Sequence, residues 1–208
     1  MGEAPIARSP IAPAPSVAVV DGWEVSQRHA TSALTLSDRT PLAKVLVHAD
    51  PGGPYAGAAT VGFGRAAHIE GRILEIGSGV GEWLLLGPIG AADALMDRAN
   101  ARRGEEFVSV VDLTHGRALV RLTGPAAARV LSKLCGIDLA DDVTPNLSAF
   151  RSSVAKIVTD VVRDDVDGAP SYLLHCERSS GQYLFDVLVD AGDEFGLEVA
   201  GFVNVVTG

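Results

Sequence analysis

Three times along this chain, a short apolar run is followed by a turn-forming joint and then by apolar residues at helical spacing. The joints contain Gly-Pro or Ser-Gly pairs, which end a strand and let the chain turn into a helix. The runs and the helical stretches that follow them are 83–86 with 91–102, 118–122 with 126–134, and 171–176 with 182–195. This repeated unit predicts helices packed on sheets.

Two further pairs of strands are joined by short connections. Segments 71–76 and 82–86 flank a Gly-rich turn, and segments 154–163 and 171–176 flank an acidic loop. Short connections favour antiparallel pairing. The sequence therefore predicts an α+β fold of two small lobes of antiparallel sheet with packed helices, in a split-βαβ style.

The domain boundaries follow from the same pattern. We expect a first α+β lobe over 34–104, a second over 105–198 and a tail over 199–208. Residues 1–33 form a Pro- and Ala-rich arm and lead-in, with four of the eleven prolines in its first 16 residues. Such a segment has little to bury, so we expect it to be largely flexible or ordered only against a partner.

Composition and charge argue against two classes of protein, nucleic-acid-binding proteins and membrane-spanning proteins. The formal net charge is −9 and no run of Lys or Arg reverses it locally, which argues against nucleic-acid binding. No stretch of about 18 apolar residues occurs, so no membrane span is predicted. The N-terminus lacks the pattern of a signal peptide, and we expect a cytoplasmic protein.

Cys135 and Cys176 sit in apolar surroundings and are expected to be buried free thiols.

The segment 73–81 resembles the first motif of S-adenosylmethionine methyltransferases, in which a strand feeds a Gly-rich turn and then a helix. The motif needs that helix because its N-terminal N–H groups meet the ligand. Here the glycines are followed by Glu82-Trp83-Leu84-Leu85-Leu86 and then Gly-Pro, which is a strand pattern. We therefore read 77–81 as a hairpin turn and keep a methyltransferase only as the weaker alternative.

Other catalytic signatures are absent from the sequence. The five histidines form no metal-ligand pattern, and no nucleophile elbow or phosphate loop occurs. Asp112 either orients His115 or caps an Asx-turn ahead of Gly116, and turn preferences favour the cap. Asp160 lies inside a strand-like run, where it is able to alternate outward without any chemical role.

Five segments together resemble the gamma subunit family of heterotetrameric sarcosine oxidase, which is itself similar to the folate-binding part of aminomethyltransferases such as the glycine-cleavage T-protein. The resemblance covers about residues 34 to 198. The segments that carry it are 40–45, 79–86, 111–115, 122–127 and 176–186.

The resemblance implies a non-catalytic subunit of a flavin-dependent complex that oxidatively demethylates sarcosine or a related N-methyl amine. It implies no cofactor in this chain, with FAD, FMN, NAD and tetrahydrofolate in the larger subunits. The chain would pack against one of these, most readily an alpha-type subunit. We expect no catalytic residue and no metal site in the chain itself.

A second hypothesis, of a different class, is a free-standing folate-binding or aminomethyltransferase-like one-carbon protein with its cleft between the lobes. Aminomethyltransferases carry an acidic residue after an apolar strand, and Asp160 matches it in the run Ile157-Val158-Thr159-Asp160. Arg117, Arg121 and Arg151 are candidates for binding a folate glutamate tail, although scattered surface arginines are the ordinary explanation.

The subunit hypothesis also predicts that one lobe face exposes a contiguous apolar patch, which a partner covers. Trp83, Phe150 and Tyr183 are left without a place in the helical stripes. We therefore expect them to contribute to that patch.

Overall fold

The computed structural model describes residues 5–70, 72–204 and 206. Met1 to Ala4 of the arm, Gly71 of the first predicted hairpin, and Val205, Thr207 and Gly208 of the tail lie outside the described residues. The strands are Ala7–Arg8 (β1), Val17–Val20 (β2), Trp23–Ser26 (β3), Thr35–Asp38 (β4), Ala43–His48 (β5), Ala66–Ile69 (β6), Ile73–Gly79 (β7), Glu82–Gly87 (β8), Ser109–Asp112 (β9), Arg117–Thr123 (β10), Ala149–Val154 (β11), Ile157–Arg163 (β12), Ser171–Glu177 (β13) and Glu198–Ala200 (β14). The helices are Pro54–Ala58 (α1), Ala92–Arg102 (α2), Ala127–Ser132 (α3) and Gly181–Gly192 (α4), with 3-10 turns at Arg178–Ser180 and Asp193–Phe195.

Two sheets make up most of the fold. One has the strand order β11-β12-β13-β10-β4-β14, and the other has the order β6-β7-β8-β5-β9. All neighbours in these two sheets are antiparallel except β14, which pairs parallel with β4. The predicted α+β class is confirmed. Every helix in the described part of the chain falls short of the length and apolarity needed to cross a bilayer.

The sheets stack face to face, and the helices cover their outer faces. Strand β8 shows why its sequence is apolar at successive positions. Trp83 and Leu85 point into a core shared with α2, whereas Leu84 and Leu86 point into a core between the two sheets. A strand covered on both faces needs apolar residues at odd and even positions alike. The same holds for β10 and β13, whose other faces pack on α3 and α4.

The core between the sheets takes side chains from both. Leu74 and Ile76 of β7 meet Leu119 of β10 and Leu173 of β13 there. Val206, near the C-terminus, is buried in the same core. Apolar side chains on the facing surfaces of the two sheets therefore hold the two halves of the chain together.

The sheets exchange strands across the boundary predicted at residues 104 and 105. β4, which precedes that boundary in the chain, belongs to the six-stranded sheet. β9, which follows it, belongs to the five-stranded sheet. The division into 34–104 and 105–198 therefore does not coincide with the division into sheets, because one strand of each half pairs with the other half.

The described part of the N-terminal arm is built into the fold. β1 pairs parallel with β3, and β2 pairs antiparallel with β3. Ile11 is buried in the core under α4, and the backbone N–H of Ala12 donates to Gln182 on that helix at 2.7 Å. The expectation that this segment has little to bury is wrong at Ile11, because its side chain packs into the core that α4 covers.

The strand predicted over 154–163 is confirmed from Ile157 onward as β12, but Val154 ends the preceding strand β11, and the two strands form a hairpin. Ala155 and Lys156 adopt positive φ values of 49° and 69°, and the chain turns there between β11 and β12. Neither residue is a typical turn former, so no local feature of the sequence marks the turn. As a result, Arg151 of β11 lies directly opposite Asp160 of β12.

The Gly-rich segment 77–81 ends a hairpin, as predicted. β7 runs to Gly79 and pairs with β8, with an irregular register between Gly77 and Gly79. A Cβ at Gly77 would lie 2.0 Å from the carbonyl oxygen of Gly62, and Gly81 has a φ of 71°. These glycines allow a close backbone crossing and a tight turn, and β8 follows where a methyltransferase would have a helix.

Candidate functional site

A cleft of about 310 Å³ lies between the two sheets, at the end where β8 and β10 begin and β5 and β13 end. Its polar lining comes from both sheets: His48 and Glu82 from the five-stranded sheet, and Arg117, Arg151, Asp160 and His175 from the six-stranded sheet. Leu46, Leu84 and Leu113 form apolar walls. The cleft is therefore the outer end of the same interface that is filled by apolar side chains further in.

Strand alternation places the polar residues there. On β12, Val162 points into the core between the sheets, so Asp160, two residues earlier, faces the same way but nearer the opening. On β13, Leu173 points into that core and His175 follows two residues later. The pairing of the two strands puts Asp160 directly opposite His175.

The polar side chains form a continuous chain of contacts across the cleft. Arg151 Nε donates to Asp160 Oδ1 at 2.5 Å, and Arg151 Nη2 donates to Glu82 Oε1 at 2.7 Å. The other oxygen of Glu82 lies 3.1 Å from His48 Nε2. Asp160 Oδ2 lies 3.4 Å from His175 Nδ1. Arg151 thus joins a carboxylate of each sheet.

These contacts set the charge of Asp160. Burial alone would raise the pKa of this carboxyl, but hydrogen bonds from His175 and Arg151 outweigh burial and lower it. The hydrogen bond to Asp160 is in turn the main cause that raises the pKa of Arg151. Asp160 is therefore an ionised group held between two donors, and it is poorly placed to accept a proton at neutral pH.

His175 is the least satisfied group of the cleft. Burial lowers the pKa of its imidazole, with Lys44 and Arg117 contributing in the same direction, so the ring is neutral at pH 7. Because ionised Asp160 only accepts, Nδ1 carries the proton and Nε2 is left as an acceptor. Nε2 is buried and has no hydrogen-bond partner among the described residues.

Of the three candidate arginines, two line this cleft. Arg117 stands near its rim with Nη1 2.8 Å from Glu177, and Arg151 crosses it as described. Arg121 is on the same strand as Arg117 but lies deeper, and its Nη2 reaches Asp164 Oδ2 at 2.5 Å and the carbonyl oxygen of Val206 at 2.6 Å. The structure therefore brings Asp160, Arg117 and Arg151 together and places Arg121 apart from them.

The environment of Arg121 is a separate buried cluster. Asp164 also contacts His68 Nε2 at 2.6 Å, and Arg121 Nη1 donates to Ser171 Oγ at 3.1 Å. Burial would raise the pKa of Asp164, but its bonds to His68 and Arg121 lower it. The Nη1 and Nη2 groups of Arg121 donate to groups of this chain, as expected of an arginine with a structural role.

For Asp112 and His115, the structure supports the interpretation of Asp112 as the cap of an Asx-turn. Asp112 Oδ1 accepts from the backbone N–H of Thr114 at 2.8 Å, which is an Asx-turn. The ring of His115 stacks on Trp23 of β3, with ring centroids 4.7 Å apart. Cys135 and Cys176 are buried and free, and burial raises the pKa of Cys176 to about 11.

Sequence reasoning missed His48, Glu82 and His175 as residues of the cleft. A signal for His175 existed. The acidic loop 164–170 was identified as the connection between two antiparallel strands, and counting outward from its centre places Asp160 opposite His175 to within one residue. No comparable signal linked Glu82 to Arg151, because that contact joins different sheets.

A folate fits the cleft only in part. The arginines match a carboxylate, but the volume of about 310 Å³ is at the lower end of the range for small-molecule pockets. Asp160 is already bonded to Arg151 and His175. The residues present therefore suit a smaller ligand better than this cofactor.

Comparison with known proteins identifies the class of protein to which this fold and cleft belong. Residues 82–207 match the family model described as the GCVT N-terminal domain. The chain is 31% identical over 189 residues to the sarcosine oxidase subunit gamma of Corynebacterium sp. strain U-96, a match that spans 87% of this chain and 90% of that subunit. A chain in the structure of heterotetrameric sarcosine oxidase from Corynebacterium sp. U-96, in complex with pyrrole 2-carboxylate, superposes with a TM-score of 0.68. That match covers 78% of this chain and 85% of the other at 28% identity.

A longer relative shares the same region. Human mitochondrial dimethylglycine dehydrogenase is 29% identical over 152 residues, which cover 68% of this chain but only 17% of the enzyme. The chain thus spans about a sixth of the dehydrogenase that it matches. The chain belongs to the GCVT N-terminal domain family and, within it, to the sarcosine oxidase gamma subunits.

Proposed function

We propose that this chain is the small, non-catalytic subunit of a heteromeric flavin-dependent oxidase that demethylates sarcosine or a related N-methyl amine. The observation that carries the proposal is the end-to-end match with a sarcosine oxidase gamma subunit, which leaves little of either chain unmatched. A match over part of a long enzyme would support only a shared domain.

The partners and cofactors follow from the same proposal. The chain packs on larger subunits, the alpha-type subunit first among them, in a heterotetramer located in the cytoplasm. FAD, FMN, NAD and tetrahydrofolate are held by those larger subunits. The ion-paired state of Asp160 supports the absence of independent turnover, because its carboxylate is engaged by Arg151 and His175.

Exposed apolar side chains support a role in assembly. Phe107, just before β9, is 91% exposed, and Val80 and Val158 are 76% and 69% exposed. Tyr183 is half exposed. Trp83 does not belong to any such patch: it is buried, and its Nε1 donates to the carbonyl oxygen of Val61 at 2.8 Å. Phe150 is partly buried against the core under α3 and α4.

Purification of the tagged chain from its native cells tests the proposal. The expected eluate contains larger subunits in fixed proportion and shows the absorption of bound flavin. A chain that elutes alone and colourless under conditions that preserve complexes would contradict it. A catalytically dead variant of the amine-oxidising subunit, purified through the same tag, checks that co-purification reports assembly and not turnover.

The competing one-carbon hypothesis is tested by titrating the isolated chain with tetrahydrofolate. Asp160, Arg117 and Arg151 share one cleft, which is the observation in its favour. We expect no binding by the chain alone. If binding is found, and if Asp160→Asn abolishes folate-dependent turnover while the chain stays folded, the one-carbon function replaces the subunit function. Arg121→Gln is a poor control in that experiment because Arg121 is part of a buried cluster.

A further inference from the structure

A second cavity, of about 300 Å³, lies over the six-stranded sheet where β4 runs between β10 and β14. Its polar lining comes from alternate residues of two paired strands. Ser37 of β4 lies opposite Arg121 of β10, and Thr35 lies opposite Thr123. Arg39 follows Ser37 at the next alternate position along the chain. One face of the sheet therefore brings two arginines and three hydroxyl groups to the same cavity.

The positive charge of Arg39 is not paired. Arg121 has Asp164 as its partner, whereas no carboxylate of the described residues forms an ion pair with Arg39. Asp38, its neighbour in sequence, accepts from the backbone N–H of Thr40 instead. Burial and the charge of Arg121 lower the pKa of Arg39 to about 10, against an opposing effect of Asp38. An anion beside Arg39 would offset both the burial of its charge and the repulsion between the two guanidinium groups.

Hydrogen-bond donors remain free next to this charge. Nε of Arg39 donates to Ser37 Oγ at 3.0 Å, and Nη1 donates to the carbonyl oxygen of Val203. Nη2 has no acceptor among the described residues, and Arg39 is partly exposed where it lines the cavity. The hydroxyl protons of Ser37 and Thr35 likewise have no acceptor in the described part of the chain. A guanidinium with neighbouring hydroxyl groups suits the oxygen atoms of a phosphate.

The surroundings of the cavity favour an anion and leave space for more than one group. Neither Asp nor Glu is among the described residues that line it, although the chain has a net charge of −9. The cavity shares Thr35, 200–201 and Val203 with an open groove of about 620 Å³. That groove adds Arg28 and His29, again with no carboxylate among its described lining residues.

We propose that this cavity binds a phosphate group, with Nη2 of Arg39 and the hydroxyl groups of Thr35 and Ser37 as donors to its oxygen atoms. Arg121 adds positive charge from the adjacent strand. The site goes beyond the assembly role and does not depend on it, so it is tested on the full chain without the larger subunits. Failure to bind phosphate leaves co-purification with those subunits as an independent result.

Isothermal titration calorimetry at constant ionic strength tests the site with three probes. Inorganic phosphate and phenyl phosphate carry the tetrahedral group, and malonate carries a similar charge without it. We expect both phosphates to bind at least about tenfold more tightly than malonate, the effect of losing one hydrogen bond to a charged group. Tighter binding of phenyl phosphate would assign the site to a phosphate ester that extends into the groove. Equal or weaker binding would assign it to free phosphate.

Variants and amide chemical shifts locate the binding. Arg39→Gln should weaken the binding of inorganic phosphate at least about tenfold, and Thr35→Val, which keeps the shape of the side chain, should weaken it about threefold or more. Arg28→Gln is the matched control, because it removes the same charge from an exposed residue of the adjacent groove. It should change the affinity for inorganic phosphate less than about twofold. Amide shifts on adding phosphate should be largest in 35–39 and 200–203.

Four outcomes would overturn the proposal. One is equal affinity of the intact chain for phosphate and malonate, and another is the absence of heat from either phosphate at millimolar concentration. Neither needs a variant, so neither depends on the folding of Arg39→Gln. Equal losses in Arg39→Gln and Arg28→Gln would mean that phosphate responds only to the general positive potential of this surface. Amide shifts centred on another part of the chain would place the bound phosphate elsewhere.

Discussion

Lys44 of β5 is fully buried, and no carboxylate of the described residues forms an ion pair with its ammonium group. Nζ donates to the carbonyl oxygens of Thr40 and Leu42 at 2.6 and 2.8 Å. Burial lowers the pKa of Lys44 to about 7, against a partial opposing effect of Asp38 and Asp112. The ordinary value for an exposed lysine is about 10.4. Near neutral pH this residue is therefore close to its own titration midpoint in the folded chain.

The sign of the resulting pH dependence follows from proton counting. Between about pH 7 and 10 the unfolded chain holds a proton on Lys44 that the folded chain has lost. The free energy of unfolding therefore increases with pH in that interval, by up to about 1.4 kcal/mol per pH unit. We expect the midpoint of urea unfolding to increase from pH 7 to pH 9.

Lys44→Met tests this assignment because it keeps the length of the side chain and removes the titrating group. The variant should show little change in its urea midpoint between pH 7 and pH 9. The window stops at pH 9 because Cys176 acts in the opposite direction above it: its pKa is raised to about 11 by burial, so folding is disfavoured once the unfolded thiol ionises. A variant with the same slope as the original chain would show that Lys44 is not the source.

At the scale of elements, the hairpin of β7 and β8 requires glycine at position 77 much more than at position 79. A Cβ at Gly77 would meet the carbonyl oxygen of Gly62 at 2.0 Å, and no side-chain rotation relieves this contact because the backbone fixes the positions of both atoms. A Cβ at Gly79 would lie 3.2 Å from Cβ of Glu82, a contact that a small shift relieves. The glycines of this segment therefore serve packing and turning of the chain.

Gly77→Ala should lower the free energy of unfolding by about 2 kcal/mol or more, the upper part of the range for overpacked sites. Gly79→Ala is its matched control and should cost less than about 1 kcal/mol. Urea unfolding of both variants at one pH measures the difference. Equal losses would mean that the backbone of Gly62 moves aside, and the close crossing would then not be what requires glycine.

Strand β10 carries two arginines on the same face with different surroundings. Arg121 is buried and bonded to Asp164 and to the carbonyl oxygen of Val206, whereas Arg117 is partly exposed and pairs with the exposed Glu177. Arg121→Met should cost about 3–5 kcal/mol, because it removes one of the two partners, Arg121 and His68, of the buried Asp164 carboxylate. Arg117→Met should cost no more than about 1 kcal/mol.

Urea unfolding separates these two cases, and hydrogen exchange adds a second measurement. In Arg121→Met the amides around Phe202 and Asn204 should exchange faster, because the carbonyl oxygen of Val206 loses its donor. In Arg117→Met their exchange should not change. If the two variants lose equal stability, the depth of the arginine in the sheet interface does not decide its contribution.

The sequence predicted the local elements better than their pairing. The three strand-to-helix units and the hairpin across 164–170 were recoverable because apolar periodicity and turn residues mark them locally. The turn at Ala155 and Lys156 was not, because its residues lack turn chemistry and the positive φ values are imposed by the pairing of β11 with β12. Arg151 was therefore a candidate by residue type alone, while its contact with Asp160 depended on a turn with no sequence signal.

At the scale of the whole molecule, the two sheets hold each other through an interface that changes character along its length. Its inner part is apolar and takes in Val206 from the end of the chain. Its outer part opens into the cleft, where Arg151 links Asp160 of one sheet to Glu82 of the other. The exchange of β4 and β9 between the halves of the chain makes the sheets interdependent. Expressed separately, 34–104 would lack β9 of the five-stranded sheet, and 105–198 would lack β4 and most of β14 of the six-stranded sheet.

Assembly with larger subunits should depend on side chains that the isolated fold does not need. Phe107 is 91% exposed and lies in the loop before β9, so removing its ring should leave the free energy of unfolding of the chain unchanged within about 0.5 kcal/mol. Exposed aromatic residues are frequent anchors of interfaces. Phe107→Ala should therefore weaken the association of the chain with the larger subunits by at least about tenfold, whereas Phe107→Tyr, which keeps the ring, should retain it.

Sedimentation or co-purification at several concentrations measures the association, and urea unfolding of the chain alone supplies the stability. A Phe107→Ala chain that assembles normally would place the interface elsewhere on the surface, and one that also unfolds more easily would show that the ring is needed by the fold itself.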